Sequence, residues 1–315
     1  MKLLVTNRSD LDLEMPDGVT VVPLREGHEI PPEDRDAEGV VAWGTPTLLT
    51  SVARDLPDLR WVQSLAAGTD LFEAAGLPAD VVLTSGRGLH DATVAEHAVT
   101  LALTVLRRMP QLLAAQRESR WADELRRPRS IQPPERVASL IDARVLIWGF
   151  GSIGQRLAGI LSALGASVRG VARSAGERGG YDVVAQDGLD AALAETDILV
   201  MVLPSTPETE LALDARRIAL LPDRAIVVNV GRGATLDEDA LVDALEAGTL
   251  SGAGLDVSEQ EPLPPESRLW QAPNLVYTPH VAGYRAHGGK QLIEHNLGAL
   301  LAGDVSAMRN VVDRG

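Results

Sequence analysis

Six residues in the middle of the chain, from Gly149 to Gly154, read Gly-Phe-Gly-Ser-Ile-Gly and carry the GxGxxG spacing. An apolar run over 145–148 precedes them, and an apolar stripe at helical spacing follows over 157–164. A strand, a glycine turn and a helix in that order are what a dinucleotide-binding βαβ unit requires. The position of this turn constrains the fold, because everything before residue 145 must form something else.

Composition limits the classes of protein that the chain can belong to. Its 315 residues are enough for two domains, and its net charge of −15 disfavours nucleic acid or an anionic membrane as a partner. The absence of cysteine excludes disulfides and thiolate metal sites, and we expect no bound metal. No apolar run reaches the roughly 20 residues that span a bilayer, and the first residues lack a signal-peptide pattern. We therefore expect a cytoplasmic protein.

Strands and helices alternate along the whole chain, which predicts an α/β fold with parallel sheets. Before the glycine turn, strands are predicted over 3–6, 19–24, 40–43, 61–64 and 81–84, and helices over 46–54, 70–75 and about 93–117. Thr45 is the expected N-cap of the first helix, and Pro110 is expected to break or kink the third. After the turn, strands are predicted over 168–172, 198–202, 225–229, 252–257 and 275–278, with a final helix over 288–301.

Three polar residues each follow the end of a predicted strand after the glycine turn: Arg232, Glu261 and His280. Ligands of open α/β sheets bind outside the carboxyl ends of the strands, so these side chains are candidates for one crevice. Histidine can give a proton to a developing oxyanion, and a neighbouring carboxylate would favour its charged form. Arginine can hold a carboxylate and a carbonyl oxygen in one fork. Taken singly, each residue also fits a structural or surface role.

The motifs together resemble the D-isomer-specific 2-hydroxyacid dehydrogenase family over most of the chain. Residues 203–209 are similar to its Leu-Pro-x-Thr-x-x-Thr loop, and 229–233 to its Asn-x-x-Arg-Gly segment. Residues 256–262 resemble its Asp-Val-…-Glu-Pro segment, and Pro279-His280 its acid/base dipeptide. Upstream, 66–70 resemble the Gly-x-Asp substrate loop, and 94–97 the helix that opens the cofactor domain. The order of these motifs predicts an NAD(P)-dependent oxidoreductase of small 2-oxo and D-2-hydroxy acids.

The resemblance implies roles for the matching positions. Arg232, Glu261 and His280 would be catalytic, and Ala67 and Gly68 would bind the substrate carboxylate together with Arg232. The implied cofactor-binding residues are Gly149, Gly151, Ser152, Ile153, Gly154, Arg173, Leu203, Pro204, Thr209, Val230, Gly231 and Asp256. The adjacent Glu96 and His97 look catalytic, but the resemblance implies a structural place for them.

The resemblance also implies two Rossmann-like or flavodoxin-like parallel-sheet domains with the active site in the cleft between them. The substrate domain would comprise 1–95 with 285–315, and the dinucleotide-binding domain 96–284. Family members are usually homodimers, and residues 118–140, which include Trp121, would form part of the interface.

The cofactor strand departs from the pattern for NAD. An acidic residue is expected about 20 positions after the fingerprint, where it would bind the ribose 2′-hydroxyl. This chain has Ala172, Arg173 and Ser174 there, which suit a 2′-phosphate. We therefore expect NADP(H) to be preferred and NAD(H) to remain possible, with Arg173 and either Arg169 or Arg178 reading the phosphate.

Several alternatives remain open from the sequence. Glu261 argues against formate oxidation, because formate dehydrogenases of this fold pair their histidine with glutamine. The substrate beyond its carboxylate is open, with Arg87, His90, Tyr284, Arg285 and His287 as weak candidates for the pocket. The alternative function is an NAD(P)H-sensing, corepressor-like interaction protein on the same fold.

Overall fold

The computed structural model describes residues 1–7, 11–126, 130–283 and 286–314. Its strands are β1 (Lys2–Thr6), β2 (Thr20–Leu24), β3 (Gly39–Ala42), β4 (Trp61–Ser64), β5 (Val82–Thr84), β6 (Arg144–Trp148), β7 (Ser167–Val171), β8 (Gly176–Arg178), β9 (Tyr181–Val184), β10 (Ile198–Met201), β11 (Ile226–Asn229), β12 (Gly252–Leu255) and β13 (Leu275–Tyr277). Its helices are α1 (Pro46–Asp55), α2 (Asp70–Ala74), α3 (Asp91–Leu106), α4 (Met109–Arg117), α5 (Ser152–Ala163), α6 (Leu189–Leu193), α7 (Ala215–Ile218), α8 (Glu238–Ala247) and α9 (Gly289–Leu301).

The chain divides into unit 1, Met1–His90 with Arg285–Gly315, and unit 2, Asp91–Tyr284. The sequence-based boundary after residue 95 falls inside α3, a continuous helix that belongs to unit 2 as a whole. The division between the two units therefore lies at the start of α3, before Asp91, and not inside the helix.

Unit 1 is built on a parallel sheet with the strand order β2-β1-β3-β4-β5, the order of flavodoxin-like folds. Apolar side chains alternate between the two faces of its strands, and both faces are covered. Leu48, Leu49 and Val52 of α1 pack on one face. Ile293 and Leu297 of α9 pack on the other, so the last helix returns to this unit.

Unit 2 is built on a sheet with the order β13-β12-β11-β10-β6-β7-β9-β8. All neighbouring strands are parallel except β8 and β9. Helices α3 and α5 contribute to the core on one face, and α6 and α8 to the core on the other. The strand order reverses between β6 and β10, which is where dinucleotides bind in Rossmann folds.

The structure confirms the predicted α/β fold with parallel sheets, and it corrects the predicted local structure in two places. The antiparallel hairpin of β8 and β9 was not predicted. Thr45 does occupy the N-cap position of α1, but its Oγ1 accepts the N–H of Gly27 (3.0 Å) and caps nothing. The expected break at Pro110 is present, because α3 ends at Leu106 and α4 begins at Met109. Within the described ranges, no helix has the length and apolar character needed to cross a membrane.

Candidate active site

Arg232 is presented by a tight turn that follows β11. Asn229, the last residue of the strand, closes this turn: its Oδ1 accepts the N–H of Gly231 (3.0 Å) and its Nδ2 donates to the Arg232 carbonyl (3.1 Å). The Thr235 hydroxyl donates to the same carbonyl (2.6 Å). The Arg232 guanidinium donates to the Gly231 carbonyl (2.8 Å) and meets no carboxylate among the described residues. Most of its donors are therefore available to an anionic ligand.

Glu261 and His280 follow β12 and β13, and their side chains are paired. His280 Nδ1 lies 2.7 Å from Glu261 Oε2. The His280 and Glu261 side chains are 45% and 36% exposed within this structure, so a small ligand can reach them. Because the carboxylate occupies Nδ1, Nε2 is the ring atom that can exchange a proton with a ligand.

A glycine brings the Arg232 turn against the segment that carries Glu261. A Cβ at Gly233 would lie 1.9 Å from the carbonyl carbon of Ser258, a distance that no side chain tolerates. The Ser258 N–H donates to Glu261 Oε1 (3.2 Å), and its hydroxyl contacts the Tyr277 hydroxyl (2.9 Å). The Asn-x-x-Arg-Gly motif therefore fits the backbone of the loop after β12.

The Glu261 carboxyl is held in its charged form. Burial raises its pKa, but the hydrogen bond and charge of His280, the Ser258 N–H and the charge of Arg232 outweigh burial and lower the pKa below the ordinary 4.5. A lowered folded-state pKa means that the pairing stabilises the fold above the unfolded-state pKa. This stabilisation is lost as the pH falls through the folded-state pKa. Because that pKa lies below 4.5, Glu261 is ionised at neutral pH.

Asp256 fixes the loop that carries His280. The residue is 1% exposed and directly follows β12. Its Oδ1 accepts the N–H of Val281 (3.0 Å), and its Oδ2 accepts the N–H of Ala282 (2.9 Å). Its backbone carbonyl accepts the N–H of His280 (2.7 Å). His280 has a φ of 52°, in the left-handed region that costs a non-glycine residue about 1–3 kcal/mol. These bonds hold His280 in that conformation.

Replacing Asp256 with asparagine tests this anchoring. One acceptor oxygen becomes an NH₂ donor that faces backbone N–H groups, so at least one buried donor loses its partner. We expect the free energy of unfolding to fall by about 1–3 kcal/mol, measured by urea denaturation. Asp223→Asn is the control, since Asp223 is exposed and that change should stay within about 0.5 kcal/mol. Equal stability of the two variants would contradict the anchoring role.

The glycine turn after β6 has the geometry that a pyrophosphate needs. Gly149 has a φ of 102°, and a Cβ there would lie 2.4 Å from the Val202 carbonyl oxygen. A Cβ at Gly154 would lie 2.7 Å from the Gly149 oxygen, so this glycine allows the close packing of α5. A Cβ at Gly151 would meet no atom within 4 Å. The space beside Gly151 is open at the start of α5, where the N–H groups of Ser152, Ile153 and Gly154 have no partner within the helix.

The loops after β10 and β11 touch each other beside this turn. A Cβ at Gly231 would lie 2.6 Å from the Leu203 oxygen. The Thr209 hydroxyl contacts the Pro204 oxygen (2.6 Å) and accepts the N–H of Thr206 (2.9 Å), so it closes its own loop. Val230 is buried, and its N–H donates to the Met201 carbonyl (3.1 Å). The cofactor residues expected here therefore line one edge of the sheet.

The three arginines considered for binding a 2′-phosphate differ in exposure and in their ion pairs. Arg173 follows β7, is exposed, and forms no ion pair within the described part of the chain. Arg178 donates to Ser174 Oγ (2.7 Å), which brings it toward the same strand end. Arg169 lies inside β7 and pairs with Asp182 (3.3 Å) and Glu195 (3.7 Å). Arg173 and Arg178 thus remain candidates, whereas the charge of Arg169 is already neutralised.

The expected substrate loop of unit 1 follows β4. The Gly86 N–H donates to the Ala66 carbonyl (2.8 Å), which fixes the loop from outside. The N–H groups of Ala67 and Gly68 donate to no atom of the described residues. They are therefore available to an anion, as the resemblance implies.

The weak candidates for the substrate pocket have different surroundings. Arg87 and His287 line a cavity of about 620 Å³ in unit 1. His90 is 4% exposed, its ring lies tilted against that of Trp43 at a centroid distance of 5.5 Å, and its Nε2 is 2.6 Å from the Leu65 carbonyl oxygen, so it is a core histidine. Tyr284 and Arg285 lie outside the described residues.

A Rossmann-ordered sheet with this glycine turn and an arginine beside a paired glutamate and histidine is the architecture of a nicotinamide-dependent dehydrogenase. The family model described as "D-isomer specific 2-hydroxyacid dehydrogenase, NAD binding domain" matches residues 99–282. The chain belongs to the D-isomer specific 2-hydroxyacid dehydrogenase family and is an NAD(P)-dependent oxidoreductase.

Relatives and solved structures agree with this family. Glyoxylate/hydroxypyruvate reductase B of Citrobacter koseri is 32% identical over 251 residues, which cover 78% of this chain and 74% of the relative. A family member from Aeromonas salmonicida has a TM-score of 0.84 at 30% identity, covering 100% of this chain and 99% of that one. An NADPH-dependent glyoxylate/hydroxypyruvate reductase from Sinorhizobium meliloti, solved with NADP and sulfate, has a TM-score of 0.79 at 30% identity, with coverage of 100% and 99%.

Proposed function

We propose that this chain reduces glyoxylate, hydroxypyruvate or a 2-oxo acid of similar size to the D-2-hydroxy acid, with NADPH as the preferred hydride donor. The observation that carries the proposal is the 2.7 Å contact between His280 and Glu261, together with the guanidinium of Arg232, which meets no carboxylate in the described ranges. The substrates are suggested by the names of the relatives from Citrobacter koseri and Sinorhizobium meliloti. Neither of these names describes the alternative, a nucleotide-sensing interaction protein.

The proposed reaction divides the work among few residues. A nicotinamide cofactor held at the glycine turn would supply the hydride that the carbonyl carbon of the 2-oxo acid receives. Arg232 binds the substrate carboxylate and the carbonyl oxygen. His280 gives the proton from Nε2 to the oxygen, which completes the alcohol. Glu261 accepts the hydrogen on Nδ1 and thereby orients the ring and stabilises its charged form.

The proposed cofactor site uses the edge of the sheet at which the strand order reverses. Gly149, Gly151 and Gly154 shape the turn, and the free N–H groups at the start of α5 suit the pyrophosphate. The space for the nicotinamide half of the cofactor would be lined by the backbone of Leu203, Pro204, Val230 and Gly231. Thr209 helps to shape this backbone. Within the described ranges, Asp256 Oδ2 accepts one hydrogen bond, from Ala282, so it retains capacity to accept another from the cofactor.

Turnover with a panel of 2-oxo acids tests the reaction. Purified enzyme is mixed with NADPH and, in turn, glyoxylate, hydroxypyruvate, pyruvate and a bulkier 2-oxo acid, and the loss of absorbance of the reduced nicotinamide is followed. We expect glyoxylate and hydroxypyruvate to give the highest kcat/KM. Tight binding of NADPH without turnover of any substrate would refute the proposal and favour the nucleotide sensor.

The cofactor preference is tested by Arg173→Asp. This change replaces a cation that would bind the 2′-phosphate with a carboxylate that repels it and suits a ribose hydroxyl. We expect the ratio of kcat/KM for NADPH to kcat/KM for NADH to fall by about 10–100-fold, which corresponds to one charge-assisted contact. Arg169→Ala is the control, because Arg169 is paired with Asp182 and Glu195. A wild-type preference for NADH would overturn the assignment.

We further propose a cytoplasmic homodimer in which residues 118–140 form part of the interface. Trp121 is 81% exposed and Ile131 is 56% exposed, so burial of both side chains against a second copy would be favourable. Trp121→Glu is expected to convert dimers into monomers, measured by light scattering after gel filtration. Arg117→Glu is the control for added negative charge. A monomeric wild-type protein would contradict this proposal.

A further inference from the structure

His97 of α3 contacts two residues that lie at the bases of the catalytic loops. Its Nε2 is 2.9 Å from Thr278 Oγ1 and 3.3 Å from Asp256 Oδ1. Asp256 directly follows β12, whose loop carries Glu261, and Thr278 directly follows β13, whose loop carries His280. The His97 side chain is 20% exposed and that of Asp256 is 1% exposed, so solvent has little access to this contact.

The hydrogen-bond directions in this cluster follow from counting hydrogens. The Thr278 hydroxyl has one hydrogen, and its shortest acceptor is Asp256 Oδ1 at 2.6 Å. A hydroxyl whose single hydrogen already forms a hydrogen bond can only act as an acceptor toward a third group. His97 must then donate, so Nε2 carries a hydrogen. His97 occupies the acceptor side of Thr278 and directs the hydroxyl toward Asp256.

Removing the ring of His97 would free the Thr278 hydroxyl to rotate. Another acceptor within reach of this hydroxyl is the Leu255 carbonyl oxygen, which is 3.5 Å away. Turning there would withdraw one bond from the buried carboxylate of Asp256, which water is poorly placed to replace. That carboxylate also binds the N–H groups of Val281 and Ala282, directly after His280.

We infer that His97 is a positioning residue for His280: it fixes Thr278 and Asp256, and these hold the loop that presents the acid/base. The inference rests on the proposed role of His280. Within the described part of the chain, His97 bonds to neither member of the Glu261–His280 pair, so its effect passes through Asp256 and Thr278.

Two substitutions of His97 test the role. His97→Leu removes the donor, whereas His97→Gln places an amide N–H near the position of Nε2. We expect His97→Leu to lower kcat about tenfold, with KM and the Kd of NADPH within about twofold of wild type, and His97→Gln to restore most of kcat. His295→Leu is the matched control, because it removes a histidine of α9 in unit 1 whose Nε2 lies 2.9 Å from the Ala307 carbonyl oxygen. Thermal unfolding of each variant is measured alongside.

A double-mutant cycle with Thr278→Val decides whether the effect passes through Thr278. If it does, His97→Leu costs less kcat in the Thr278→Val background than in wild type. An unchanged kcat in His97→Leu, a loss that His97→Gln does not relieve, or full additivity with Thr278→Val would overturn the inference. His280→Ala separates this failure from that of the proposed function. If His280→Ala is inactive while His97→Leu is fully active, only the positioning role fails.

Discussion

Replacing His280 with alanine is expected to lower kcat by about 10²–10⁴-fold while the Kd of NADPH stays within about twofold of wild type. Without the ring, no side chain in the described part of the catalytic loops is placed to give a proton to the substrate oxygen. The cofactor turn lies after β6, and His280 lies after β13, at the far edge of the same sheet. Steady-state kinetics and fluorescence titration of NADPH measure the two quantities separately.

Glu261→Gln is expected to give a smaller loss of kcat than His280→Ala. Glutamine can still accept the hydrogen on Nδ1 but carries no charge, so it orients the ring without stabilising its charged form. His28→Ala serves as the control, because His28 is exposed and lies in unit 1. Normal turnover in His280→Ala would refute the assigned acid/base, whatever the result for Glu261→Gln.

The backbone conformation of His280 is held mainly by one residue, Asp256. A histidine in the left-handed conformation is maintained only when its surroundings determine it. Here the carbonyl of Asp256 binds the His280 N–H, and the Asp256 carboxylate binds the next two N–H groups. The buried carboxylate therefore acts on the imidazole through the backbone, and the paired Glu261 acts on it directly.

The sequence was sufficient for the regular part of the fold. Buried parallel strands read as short apolar runs, so β1, β3, β10 and β11 could be predicted from their Val, Ile and Leu content. The hairpin of β8 and β9 was missed because β8 is a polar, three-residue edge strand. Its signal was Gly179-Gly180, since both residues have positive φ and two glycines are typical of a tight hairpin turn.

The sequence was less informative about how the site is held together. Because Arg232, Glu261 and His280 each follow a strand, the sequence predicts that all three lie at the carboxyl ends of the strands. The structure does pair Glu261 with His280. The anchoring by Asp256 joins residues about 25 positions apart through side-chain-to-backbone bonds, which have no periodic signature. His97 is further still in sequence, and only the packing of α3 reveals its contact with Thr278.

Replacing Arg232 with alanine is expected to lower kcat/KM for glyoxylate by about 10²–10³-fold, equivalent to about 3–4 kcal/mol. The guanidinium is proposed to bind both the carboxylate and the carbonyl oxygen. The first contact is present in substrate and transition state, so its loss raises KM; the second strengthens as charge develops, so its loss lowers kcat. Arg232→Lys keeps the charge but loses the fork, and it should recover only part of the loss.

Binding of oxamate separates these two contributions, because it resembles a 2-oxo acid but is not reduced. In the enzyme–NADPH complex, Arg232→Ala should raise the Kd of oxamate by at least about tenfold without changing the Kd of NADPH. Arg117→Ala, an exposed arginine in α4, should leave both constants unchanged. The Asn229 turn is tied through backbone atoms of Gly231 and Arg232, so the variant should keep the turn and lose only the guanidinium. Unchanged oxamate binding in Arg232→Ala would mean that another cation holds the carboxylate, and the proposed division of work would be wrong.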